Sequence, residues 1–151
     1  MKTITPLLSL LLCLAPLAAL PENTPTPVAW RFEVTIRKDL TAPPTDGRLF
    51  VILARTNSPE PCLMLGRTGL DAPEVLARDV RGFAPGAVTV LDASVFTFPI
   101  PNLADVPAGD YFVQALLDSN IDLRLTTAPG NLYSKPQKIH LNPAHGGDWK
   151  L

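Results

Sequence analysis

The residues best placed by type and spacing to do chemistry are Asp118, Asn120 and Asp122, at alternate positions in the stretch YFVQALLDSNIDLR. Calcium takes several oxygen ligands at once. A D-x-N-x-D run in a loop turns three side-chain oxygens toward one point, with a backbone carbonyl two residues on, here that of Arg124, as a fourth. The run departs from the fuller EF-hand-type pattern, because Leu123 stands where glycine makes the sharp turn and Pro129 where a bidentate glutamate closes the shell. So depleted a site holds calcium weakly, at about millimolar affinity at best. The alternative is a solvated turn whose Asp and Asn side chains bond their own backbone.

A second segment, PGNLYSKP at 129–136, offers Tyr133 and Lys135 as an exposed contact for a protein or glycan partner, with Gly130 and Asn131 turning the chain left-handed. The other reading plugs the end of the fold with Leu132 and Tyr133 and leaves Ser134 and Lys135 outside.

Nucleophilic catalysis finds little to work with. No GxSxG elbow occurs, and Ser58, Ser94, Ser119 and Ser134 stand in no activating local setting. His140 and His145 are the two candidate general bases. His140 alternates within KIHL as a strand residue, and His145 lies in the turn AHGGD. Five residues apart across Pro143, they have neither the helical nor the strand spacing of a zinc pair. Cys62, in PEPCLML, reads as a small buried hydrophobe. We assign no catalytic residue and no cofactor other than the calcium that the acidic run offers to hold.

Something must position these groups. The chain has 151 residues, enough for one domain with a real core. Residues 1–20, with Lys2 ahead of an apolar run from Pro6 to Leu20, have the layout of a secretory signal. The run is shorter than the roughly 20 apolar residues that span a bilayer, and Pro16 breaks it. We expect it to be removed, giving a secreted or periplasmic protein with no stable membrane insertion. A retained N-terminal segment would instead make this an envelope protein. Removal leaves Cys62 as the only cysteine, so no intramolecular disulfide forms. Losing Lys2 takes 13 basic residues to 12 against 14 acidic ones, a net charge of −2. With no gathering of Lys and Arg, a nucleic-acid partner is excluded.

Residues 21–28, PENTPTPV, read as a proline-rich linker, and 29–151 as a single domain. AWRFEVTIRK alternates as a half-buried strand, with Trp30, Phe32, Val34 and Ile36 on one side. TAPPTDG is expected to turn at Asp46 and Gly47, and RLFVILAR to form a strand covered on both faces. PCLMLG suggests a short third strand. Residues 70–86 allow one helical turn or an irregular strand. AVTVLDAS and VFTF give one or two strands broken at Asp92, and the prolines of FPIPNLADVPAGDY exclude a central strand there. Tyr111 to Leu117, KPQKIHL and DWKL complete about seven short strands among 17 prolines and nine glycines, the pattern of an antiparallel β-sandwich, Ig-like or transthyretin-like.

At PAGDYFVQALLDSN the chain resembles a recurrent element of transthyretin-like and carboxypeptidase-regulatory-like β-sandwiches, in which a Pro-Gly turn leads into a Tyr-headed strand. GRLFVILAR, RDVRGFAPG, LADVPAGDYFVQALLD and APGNLYSKPQKIHLNP together resemble the N-terminal β-sandwich region of bacterial secreted proteins described as esterases or hydrolases. That resemblance implies a non-enzymatic accessory or binding module and transfers no catalytic residue. The alternative is a small esterase-like hydrolase, or the non-catalytic part of one acting with a separate catalytic partner.

Overall fold

The structure, a computed structural model, describes residues 30–40 and 43–151. The expected signal at 1–20 and linker at 21–28 lie outside the described residues. Nine strands and two 3-10 turns follow one another. They are β1 (Trp30–Thr35), β2 (Thr45–Ala54), the turn Pro61–Met64, β3 (Glu74–Phe83), β4 (Val88–Leu91), β5 (Phe96–Phe98), the turn Leu103–Asp105, β6 (Gly109–Asp118), β7 (Leu132–Tyr133), β8 (Gln137–Leu141) and β9 (Gly147–Lys150).

Alternation along β1 sends Trp30, Phe32, Val34 and Ile36 into the core and leaves Arg31, Thr35 and Arg37 outside. A strand buried on one face needs a second layer, and two sheets supply it. The small sheet runs β4-β1-β9. The large one runs β5-β3-β2-β6, with β7 and β8 both pairing with β6. The all-β sandwich expected from the sequence is the architecture observed. Its pairings are antiparallel except β1 with β9, which is parallel.

The continuous apolar run of β2 follows from its place in the middle of the large sheet. Val51 and Leu53 face the core between the sheets, while Ile52 faces outward and is still fully buried. What covers it is the segment expected to be a third strand. PCLM forms a 3-10 turn instead, lying across the outer face of the large sheet where Cys62 packs with Ile52 and Leu116, and not along a sheet edge. Gln114, fully buried on the outer face of β6, fixes the turn in place. Its Oε1 accepts from the Cys62 N–H at 2.9 Å, and its Nε2 donates to Glu60 Oε2 at 3.0 Å and to the Ser134 carbonyl at 2.8 Å. Burial, and next the Glu60 charge, push the Cys62 thiol up, so it stays protonated and inert.

Of the two forms expected for 70–86, the irregular strand is the one observed: residues 74–83 form a ten-residue strand and no helical turn. The alternation is lost because Val75, Leu76 and Ala77 are buried on both faces while Arg78 and Asp79 are both exposed, and beyond them β3 carries a bulge. Its residues from Val80 to Phe83 span three steps opposite the two steps from Thr45 to Gly47. Gly82, at φ +56°, takes the left-handed conformation the bulge needs, and its N–H donates to Asp46 Oδ1 at 2.7 Å. Asp46 and Gly47 therefore lie inside β2 rather than in the expected turn. Gly47 is there for lack of room, since a Cβ would sit 2.5 Å from the Asp118 carbonyl oxygen on β6.

The PAGDY turn closes as a tyrosine corner. The Tyr111 hydroxyl donates to the Pro107 carbonyl at 2.8 Å, four residues back, which ties the connection to the start of β6. The Arg55 guanidinium lies 3.8 Å from the centre of the Tyr111 ring and donates to the Asp110 carbonyl at 3.3 Å.

Gly47→Ala tests the close approach of β2 and β6. Overpacking there is expected to cost about 1–3 kcal/mol, seen as a lower urea midpoint with an unchanged slope.

Candidate functional site

β6 ends at Asp118, and the loop that follows folds back on itself around two amide side chains. Asn131 is buried and meets four backbone groups. Its Oδ1 accepts from the Ser119 and Asn120 N–H groups at 2.9 and 3.1 Å, and its Nδ2 donates to the Leu125 and Thr126 carbonyls at 3.1 and 3.3 Å. Gly130 has positive φ, as expected, but Asn131 does not; its side chain, and not its backbone, is what the loop uses.

Asn120 does the same work nearer the strand. Its Oδ1 accepts from the Asp122 and Leu123 N–H groups at 3.0 and 2.8 Å, and its Nδ2 donates to the Pro129 carbonyl at 2.9 Å. Both lone pairs of the middle oxygen in the D-x-N-x-D run are thereby occupied. Asp118 sits opposite Arg48 in the ladder, but the Arg48 fork goes to Asp79, at 2.7 and 3.2 Å. Asp122 is exposed. Among the described residues no group of three His, Cys, Asp or Glu side chains comes close enough to hold a metal ion.

His140 lies exposed on β8, its Nδ1 2.8 Å from Asp110 Oδ1, and Lys138 Nζ is 2.9 Å from the other carboxylate oxygen. The hydrogen bond from His140, followed by that from Lys138, holds the Asp110 carboxyl below the usual carboxylate range. Three serine hydroxyls are engaged elsewhere. That of Ser94 donates to Asp92, that of Ser119 to the Gly130 carbonyl and that of Ser134 to the Lys135 carbonyl. His145 lies in the turn after β8, where its N–H donates to the Asn142 carbonyl at 3.0 Å.

The other segment singled out from the sequence borders a cavity. Leu132, opposite Leu117 in the ladder, turns inward and packs on the core. Tyr133, opposite Leu116, turns to the outer face and is 57% exposed. Between the sheets beside them opens a cleft of about 540 Å³. Val34, Ile36, Leu49, Phe83, Leu117 and Leu132 make its apolar walls, while Arg37, Tyr133 and Lys135 stand among its lining residues at the lip. An apolar cavity of this size with a few polar groups at its mouth is the usual form of a binding site. A second hollow, of about 440 Å³, lies beside Arg55, Glu74 and Tyr111, but Arg55 is already committed to the tyrosine corner. Burial is the main cause that raises the Glu74 carboxyl above its ordinary range.

Fold and cavity together define a two-layer β-sandwich with an open inter-sheet cleft. No family model, no curated protein and no solved structure matches the chain.

Two expectations follow from the loop and the surface pair. With Asn120 Oδ1 bound by two backbone amides, millimolar calcium and chelator should give superimposable thermal unfolding curves, in the parent and in Asp118→Ala combined with Asp122→Ala. A calcium-dependent rise lost in the double variant would place an ion there. At Asp110 the sign follows from linkage. A carboxyl whose pKa is lowered by folding stabilises the folded chain above its unfolded pKa, and that contribution disappears as pH falls through the lower folded value. Asp110→Asn should therefore lower Tm slightly above about pH 4 and converge with the parent in stronger acid, by thermal scans at successive pH values.

Proposed function

We propose that this chain is a secreted, non-enzymatic β-sandwich module that binds a partner through the inter-sheet cleft, with Tyr133 and Lys135 at the contact. The observation that carries the reading is the cleft itself, an apolar cavity of about 540 Å³ that the packing of the two sheets leaves open. Cavities of that size and lining take up ligand groups from water by burying apolar surface. The resemblance to accessory regions of secreted esterases and hydrolases points the same way, toward a module that positions or captures rather than reacts. The layout of residues 1–20 supports export of the chain.

The His140–Asp110 pair is the one feature that favours a hydrolytic role, since a carboxylate bonded to a histidine Nδ1 is how a general base is oriented. No described serine hydroxyl is hydrogen-bonded to this pair.

The test uses the full chain and two readouts. Anilinonaphthalene sulfonate, an apolar anion, should bind with enhanced fluorescence, and Leu132→Glu, which places a like charge in the apolar cleft wall, should weaken that binding about tenfold while circular dichroism stays unchanged. Hydrolysis of p-nitrophenyl acetate should be equal for the parent and His140→Ala. Dye binding indifferent to Leu132→Glu would dispose of the cleft, and an esterase activity lost in His140→Ala would overturn the non-enzymatic reading.

A further inference from the structure

A row of aromatic side chains crosses the outer face of the large sheet, and we propose that it binds a single extended β-1,4-linked glycan chain. The ladders define the row. Phe96 on β5 pairs with Ala77 on β3, Ala77 with Phe50 on β2, Phe50 with Leu116 on β6, and Leu116 with Tyr133 on β7. Directly opposed residues share a face, so all five side chains stand on one side of the sheet. It is the side away from the core, where Leu116 packs with Ile52, Val75 and Cys62. The row shares only Tyr133 with the lining of the cleft and does not depend on it.

Along the row exposed rings alternate with buried positions. Phe96 is 64% exposed and Tyr133 57%, Phe50 midway between them is partly buried, and Ala77 and Leu116 are buried. The rings therefore recur at every second strand, about 9.6 Å apart at the usual strand spacing. Exposed apolar surface arranged in this way marks an interaction site. An aromatic face takes the axial C–H groups of a pyranose, which bury apolar area and direct their positive hydrogens at the negative face of the ring. In a β-1,4-linked chain of glucose-type sugars the hydroxyls are equatorial and each unit is flipped relative to the last. The same face thus recurs at every second sugar, close to the spacing of the rings. Because a sheet twists by about 20–25° per strand, successive rings turn about the row, which one flexible chain follows and the flat face of a crystalline fibre does not.

The next row supplies polar groups. Asp79, Arg48 and Asp118 lie side by side across β3, β2 and β6 on the same face. Arg48 gives its fork to Asp79, and Asp118 Oδ1 is buried with no hydrogen-bond partner among the described residues. Carboxylates accept from sugar hydroxyls, and a guanidinium donates to them. One cation between two carboxylates leaves these three residues with a net negative charge, which suits an uncharged polyhydroxyl chain and turns away a phosphate, a nucleic acid or an acidic peptide.

The test is calorimetric titration of the full chain with cello-oligosaccharides of increasing length. Three rings, each under every second sugar, span five units, so affinity should rise from cellobiose to cellopentaose and level off at cellohexaose. Phe96→Ala and Tyr133→Ala, both at exposed positions, should each weaken cellohexaose binding about tenfold, and Phe96→Leu, apolar but without a flat ring, should lose as much. Phe96→Trp should retain it. Maltohexaose, whose α-linkages curl the chain and break the repeat, should not bind. Failure of cellohexaose to bind overturns the proposal, as does equal binding of maltohexaose or equal binding of cellohexaose by the parent and Phe96→Leu. If cellohexaose does not bind and the chain sediments as a dimer that Phe96→Arg dissociates, the row is a contact between copies of the chain and the proposal falls.

Discussion

A three-stranded sheet cannot cover the face of a wider one. With neighbouring strands about 4.8 Å apart, β4-β1-β9 covers roughly 14 Å of width, whereas β5-β3-β2-β6 with its outer neighbour covers about 24 Å. The inner faces of β2 and β6 bring Leu49, Val51, Leu53, Val113, Ala115 and Leu117 to the common core. β1 answers with Trp30, Phe32, Val34 and Ile36, and the indole of Trp149 stacks on Phe32 with centroids 5.1 Å apart. Toward the β7 end the small sheet offers no further strand among the described residues. The cleft is what remains of that mismatch, and the partial exposure of Leu132 and Leu151 on its walls follows from it.

The same imbalance explains the outer face of the large sheet. Ile52, Val75 and Leu116 would lie open to water there, and a single 3-10 turn covers them. A turn so short has little cohesion of its own. It is held by Gln114, whose side chain serves three partners on two segments of chain and pins the approach to the cleft lip through the Ser134 carbonyl. A buried amide is costly unless satisfied, and here each of those bonds ties a loop to the sheet.

Much of this was legible in the sequence. The alternation of Trp30, Phe32, Val34 and Ile36 and the unbroken run of β2 carry their burial patterns openly, because on those strands the pleat and the composition agree. β3 was not legible, since Arg78 and Asp79 are both exposed and Gly82 inserts a bulge, so neither a period of two nor one of 3.6 survives. PCLM has a strand's composition but lies across the face of a sheet and not along its edge, a fact that belongs to topology and not to local preference. Tyr133 and Lys135 could be named from their turn context, yet the cavity beside them arises from the relative widths of two sheets, which no local stretch encodes. In the acidic run the residue types suggested an ion. The amide of Asn120 is spent on the loop's own backbone, and the central part of Asn131 in that loop would have needed knowledge of which backbone groups burial leaves without water.

The parallel pairing of β1 with β9 sets how the domain would carry tension. The two strands run in the same direction with four residue pairs in register, from Trp30 beside Gly147 to Glu33 beside Lys150. A pull applied to the start of β1 and the end of β9 would act along the strands in opposite senses and load all the bonds between them at once, so the ladder would have to slide as a unit and could not unzip bond by bond. A sandwich tied in this way resists stretching at the join between the first and the last of its described strands.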